Sequence, residues 1–203
     1  MKTKICGIRT TEMLQACVDS NVAFLGFNFV PTSRRCVTSE FLNQLTPSPK
    51  HSQYVGVFQN QSLEEVKSLA TKYNLDFVQL HGQESLAFIQ ELSQRVIKGI
   101  SLQKKHDIEV VMQYLGHVKI ILLDGPLPGK GKAAETALLE EAVQLCRASN
   151  QAYAIAGGIG EDNVEALLER YPDAHFFDTA SAIEDQHGHF SETKLTSLLT
   201  KIS

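Results

Sequence analysis

The sequence predicts an α/β protein of the parallel (β/α)8 TIM barrel class, one domain over residues 1–203. Three observations predict it. Short apolar runs alternate with amphipathic helical stretches along the chain, and eight such units at roughly 25 residues each match a compact barrel. The strand-like runs are nearly continuous in apolar residues, as required where both faces of a strand are covered. No G-x-G-x-x-G follows the first run, which weakens the competing doubly wound open sheet.

The elements follow in order. Lys4-Ile5-Cys6 reads as the first strand. Thr10 or Thr11 can cap a helix whose Met13, Leu14, Cys17 and Val18 share one face. Residues 23–27 are the second strand, followed by a helix near 38–45 that starts at Thr38 or Ser39. Residues 54–58 are the third, and Ser62-Leu63-Glu64-Glu65 is a capping-box sequence ahead of a helix carrying Leu63, Val66, Leu69, Ala70 and Tyr73. Residues 77–80 and 96–100 are the fourth and fifth strands, with helices near 84–94 and 106–114. The sixth strand, 119–124, ends at Asp124 and leads into a Gly/Pro/Lys-rich loop, Gly125 to Lys132. A helix near 134–147, a strand at 153–156, a helix near 161–170 and a strand at 175–178 complete the alternation before a final helix carrying Leu195, Leu198, Leu199 and Ile202.

Composition narrows the function. With 43% hydrophobic and 21% charged residues the chain can fold and is not mainly disordered. A net charge of −4 argues against a general nucleic-acid or membrane-surface binder, though not against a small anionic ligand. The longest apolar runs are about half the ~18 residues a membrane span needs. The cysteines, at 6, 17, 36 and 146, form no C-x-x-C pair, and no signal-peptide pattern precedes them, so free thiols in a reducing cytoplasm are expected.

In a barrel the chemistry lies at the C-terminal ends of the strands. There the sequence places Cys6, Asn28 to Arg35, Gln59 and Asn60, His81, Ser101, Asp124, Gly157-Gly158 and Asp178 to Glu184. A thiol and a carboxyl group facing one substrate can serve as base and acid. The base would need a lowered pKa to be a thiolate, and the acid a raised one to keep its proton. The plainer alternatives are a small buried core cysteine and a turn-capping aspartate. Gly157-Gly158 permits close backbone approach to an anion, with Thr179, Ala180 and Ser181 beside it after the eighth strand; a simple tight turn is the alternative. Arg34-Arg35 suits a carboxylate or phosphate, or else a solvated surface. Lys130 and Lys132 could close over an anion. His187-Gly188-His189 lacks a third ligand nearby, so no metal is expected.

The chain resembles the N-(5′-phosphoribosyl)anthranilate isomerase family of tryptophan biosynthesis. The resemblance rests on Lys4-Ile5-Cys6-Gly7, Gly26-Phe27-Asn28-Phe29 through Ser33-Arg34-Arg35, Val55-Gly56-Val57-Phe58, Val78-Gln79-Leu80-His81-Gly82, Leu122-Leu123-Asp124 and Ala156-Gly157-Gly158-Ile159 with Asn163-Val164. Six motifs in register span the chain. The resemblance implies an Amadori rearrangement of phosphoribosylanthranilate to carboxyphenylamino-deoxyribulose 5-phosphate without cofactor or metal. It puts Cys6 on the general base, Asp124 on the general acid and Arg35 near the anthranilate carboxylate. Gly157, Gly158 and Ser181 fall on the phosphate loops, and Gln79, His81 and Asp178 on substrate-binding positions. The implied partner is a phosphorylated small molecule, with no nucleic acid or membrane, in a cytoplasmic monomer or homodimer. The chain departs from the family pattern at Arg34, a proline in the motif, in the loop 125–136, and at Ala182. The loop 125–136 motivates one alternative, a weakly active or non-catalytic barrel that binds a phosphorylated ligand or a protein; another is a different phosphosugar barrel enzyme, such as an aldose–ketose isomerase acting on a different amine.

Overall fold

Side-chain alternation along eight short strands determines how this chain closes on itself. A computed structural model describes residues 1–127 and 133–202. Strands β1 (Thr3–Cys6), β2 (Phe24–Asn28), β3 (Gln53–Phe58), β4 (Phe77–Leu80), β5 (Arg95–Ser101), β6 (Ile120–Asp124), β7 (Tyr153–Ala156) and β8 (Phe177–Thr179) form one closed barrel in sequence order. All pairs are parallel, and β8 returns to β1 with Lys4 opposite Asp178.

Two apolar cores result from the period of two. One set of residues fills the barrel: Phe24, Val55, Phe77, Ile97, Ile120, Leu122, Ala154 and Phe176. The alternate set, including Ile5, Leu25, Phe27, Tyr54, Val78, Leu80, Ile121, Leu123 and Ile155, packs outward against the helices. The strands from β2 to β7 therefore carry apolar residues on both faces, which explains the hydrophobic runs in the sequence, whereas β1 and β8 turn Lys4 and Asp178 inward.

The helices form where caps and apolar stripes coincide. In α1 (Thr11–Asp19) the Thr10 hydroxyl accepts from Met13 N–H, and Met13 and Cys17 are buried. Ser62 does the same for α3 (Leu63–Lys72) and Ser85 for α4 (Leu86–Gln90). The remaining helices are α2 (Ser39–Leu42), α5 (His106–Tyr114), α6 (Ala133–Ala148), α7 (Val164–Arg170) and α8 (Glu192–Ile202).

Four elements differ from the sequence reading by more than one residue at an end, among them α7, which begins at Val164 rather than near 161. Helix α2 is a single turn rather than 38–45, because the chain tightens at Gln44 and Leu45 before Pro47. Helix α4 is shorter than 84–94: the Glu84 side chain is drawn to Lys98, and the helix begins only after the Ser85 cap. Strand β8 runs 177–179 rather than 175–178, since it meets β7 at one register pair, Ile155 opposite Phe177. The loop lysines Lys130 and Lys132 lie outside the described residues.

Candidate active site

Residues at the C-terminal ends of seven of the eight strands meet at the mouth of the barrel; Ser101, expected there at the end of β5, does not join them. Cys6 comes from β1, Asn28 from β2, Val57 from β3, Gln79 from β4, Asp124 from β6, Ala156 from β7, and Asp178 and Thr179 from β8. With His81, Gly157, Gly158, Ile159, Ala180 and Ser181 they line one cavity of about 290 Å³. The two residues that the sequence singled out as base and acid, 118 positions apart in the chain, thus open onto the same space.

Below Cys6 lies a group that the sequence reading missed. Lys4 is fully buried inside the barrel and donates to both carboxylate oxygens of Asp178 at 3.0 Å. Lys4 and Cys6 are two residues apart on one strand, so their side chains point the same way; that alternation was the available signal. Burial alone would lower the Lys4 ammonium, but Asp178 and Cys6 outweigh it and hold the proton on. Burial pushes the Asp178 carboxyl up, against the pull of Lys4. Asp178 lines the cavity as expected, with its oxygens committed to Lys4.

The thiol departs from the sequence reading. A lowered pKa was expected for a base at Cys6. Instead desolvation, the largest influence, raises it above the ordinary thiol value, and the Asp178 carboxylate adds to the rise. Lys4 and Arg35 pull it down without prevailing. Burial thus favours the thiol form of Cys6, and Lys4 and Arg35 are the cations that oppose it.

Across the cavity Asp124 faces His81, whose Nε2 lies 3.5 Å from Asp124 Oδ2. The other ring nitrogen of His81 is 3.3 Å from Gln79 Nε2. Gln79 is 1% exposed, and its Oε1 has no hydrogen-bond partner among the described residues. A buried unpaired carbonyl in a cavity wall is costly unless a ligand hydroxyl or a water completes it.

The turn after β7 is built for close approach. Gly157 has φ +107°, and a Cβ there would fall 2.1 Å from the Gly125 carbonyl oxygen, so no other residue fits. Asn163 fixes the following segment, accepting from Gly160 N–H and donating to the Gly158 carbonyl. A second hollow, lined by Gly158 to Asp162, Ser181, Ala182 and Lys194, adjoins the first through Gly158, Ile159 and Ser181.

Arg35 does not line the cavity. Its guanidinium is engaged by Glu184, from the segment after β8. All four cysteines are free thiols, and no group of three or more His, Cys, Asp or Glu among the described residues could hold a metal ion. None of the described helices is long and apolar enough to cross a membrane.

Comparison with known proteins agrees with this geometry. The family model described as "N-(5′phosphoribosyl)anthranilate (PRA) isomerase" matches residues 3–201. A protein of that name from Trichormus variabilis is 30% identical over all of this chain and 98% of its own. Another from Brevibacillus brevis is 33% identical, covering 90% of this chain and 85% of its own. Among solved structures, the phosphoribosyl anthranilate isomerase of Thermus thermophilus superposes with a TM-score of 0.81 at 30% identity, covering 100% of this chain and 98% of its own. A second such isomerase, solved in complex with reduced 1-(o-carboxyphenylamino)-1-deoxyribulose 5-phosphate, has a TM-score of 0.81 at 25% identity, covering 99% of this chain and 97% of its own.

Proposed function

This chain belongs to the N-(5′-phosphoribosyl)anthranilate isomerase family, and we propose that it carries out the family's Amadori rearrangement, with Cys6 as general base and Asp124 as general acid. The observation that carries the reading is the shared cavity: a thiol on β1 and a carboxyl group on β6 open onto one space beside a glycine turn suited to an anion.

The steps follow from the chemistry of the substrate. Asp124 protonates the furanose ring oxygen, the C1′–O bond breaks, and an iminium ion forms. That cation withdraws electrons from C2′, so its C–H becomes acidic. The Cys6 thiolate takes this proton and becomes the thiol, the C–H electrons form the enolamine double bond as the iminium nitrogen is neutralised, and tautomerisation yields the ketone. The raised thiol pKa fits a base whose thiolate is strong when it forms and is held by Lys4 and Arg35. Fixed positions on strand ends supply proximity and orientation.

The substrate carries two anionic ends. Gly157, Gly158 and Ser181 suit the phosphate, and Arg35 suits the anthranilate carboxylate. His81 steadies the Asp124 side of the cavity, and Gln79 Oε1 awaits a hydroxyl donor. Free thiols throughout suit a cytoplasmic enzyme. Loss of phosphoribosylanthranilate fluorescence on adding the purified protein tests the reading, together with rescue of a tryptophan auxotroph lacking this step. Binding without turnover would return the non-catalytic alternative.

A further inference from the structure

Glu184 is 7% exposed, and three guanidinium groups converge on it. Arg35 donates from Nε to Oε1 at 2.8 Å and from Nη2 to Oε2 at 2.7 Å. Arg34 donates from Nη2 to Oε2 at 2.9 Å. Arg9 Nη1 stands 3.5 Å from Oε1, and its Nη2 donates to the Gly188 carbonyl. Arg9 follows β1, Arg34 and Arg35 follow β2, and Glu184 follows β8, so the cluster ties three loops of the mouth together. The backbone of Gly7, at φ +86°, lies against the Arg35 stem: a Cβ there would fall 2.4 Å from Arg35 Cδ. Nearby, Lys194 Nζ donates to the Glu184 carbonyl at 2.7 Å, and Asp185 uses Oδ1 to accept from His187 and His189 N–H.

The charge count has a consequence for binding. Paired with Arg35 alone, Glu184 would cancel its charge and repel an incoming carboxylate. Three positive groups against one negative group leave the cluster at +2. When Arg35 turns some of its hydrogen bonding toward a ligand, Glu184 still has Arg34 and Arg9, so no buried carboxylate is stranded. The Arg35 Nε–Nη2 edge is held by Glu184, and Nη1 lies outside that bidentate contact.

We propose that Arg34 is a specificity-determining positioning residue: by sharing Glu184 it releases the charge of Arg35 for the carboxylate of the aromatic amine. The inference rests on the reading above that Arg35 meets that carboxylate. Arg34 acts through Glu184 and Arg35 rather than by touching the reacting atoms. Its side chain is 63% exposed, so its removal leaves the fold intact.

The test compares two ligands, reduced 1-(o-carboxyphenylamino)-1-deoxyribulose 5-phosphate and its phenylamino counterpart lacking the carboxyl group. Calorimetric titration of wild type, Arg34→Ala, Arg34→Lys and Arg35→Ala reads the effect. Arg34→Ala should bind the carboxylated ligand about fivefold more weakly and the counterpart unchanged, in line with a partly solvated charge. KM should rise by the same factor with kcat retained, and Arg34→Lys should recover part of the loss. Equal weakening toward both ligands, or none, overturns the role of Arg34. If Arg35→Ala discriminates the ligands and Arg34→Ala does not, only this inference falls. If Arg35→Ala discriminates neither, the carboxylate reading of Arg35 falls, and this inference with it.

Discussion

The two ends of the barrel interior are made by the same strands and the same alternation, yet they differ in every chemical respect. At the floor, Phe24 packs against Phe77 and Phe176 with ring centroids 5.7 and 4.7 Å apart, closed in by Val55, Ile97, Ile120 and Ala154. Two or four residues further along the same strands come Asn28, Val57, Gln79, Asp124 and Asp178, around open space. The floor is fully packed, which stabilises the barrel. The mouth holds a half-buried thiol, an unpaired amide carbonyl and a buried ion pair, none of which a design for stability would choose. The difference shows that stability and chemistry are separated along the barrel axis, with Lys4–Asp178 marking the boundary.

That separation can be broken from either side. The largest effect is expected at the mouth: Cys6→Ala and Asp124→Asn should each lower kcat by about 10²–10⁴-fold with the melting temperature nearly unchanged. Full activity in either variant would remove that residue from its role. At the floor, Phe77→Ala should cost about 3–5 kcal/mol in urea denaturation while kcat in the folded fraction is kept. A kinetic loss without a stability loss would show that floor and mouth are not separate.

Lys4→Met strikes the boundary and should affect both. It leaves Asp178 buried without its partner, a loss of about 3–5 kcal/mol, and it removes a cation that favours the Cys6 thiolate. A variant that is less stable but has an unchanged pH profile would confine Lys4 to a structural role.

The pH profile of the intact protein follows from the raised Cys6 thiol. With its pKa above the ordinary value, the thiolate is the minor form at neutral pH, and its fraction grows about tenfold per pH unit until the thiol titrates. The thiolate-dependent limb of kcat/KM should therefore rise toward alkaline pH. A limb already flat at neutrality would mean that the thiol is ionised there. The smallest effect belongs to the outer surface. Lys105–Glu141 is an exposed ion pair, and Lys105→Ala should change stability by less than about 1 kcal/mol and turnover not at all.

Much of this arrangement was legible in the sequence, but unevenly. Strand and helix order followed from apolar periodicity, and the Thr10, Thr38 and Ser62 caps sit where a hydroxyl meets an unpaired helix N–H. Cys6, His81, Asp124, Gly157, Gly158, Asp178 and Ser181 were readable as a set because a closed barrel brings strand ends together, whereas Gln59, Asn60 and Ser101 were read into the same set and do not line the cavity. Arg35 was readable as a guanidinium near the mouth, but not as the partner of Glu184, 149 positions away.

The amino-acid order by itself determined the number of strand–helix units, the two faces of each strand and the residues at its end, since those depend on local periodicity and steric preference. Tertiary structure alone decided which charges meet. A buried lysine is stable only when a carboxylate from the strand closing the barrel reaches it, and a thiol's pKa depends on the walls and charges around it. Such quantities depend on distance and desolvation in space, and no local pattern in the chain encodes them.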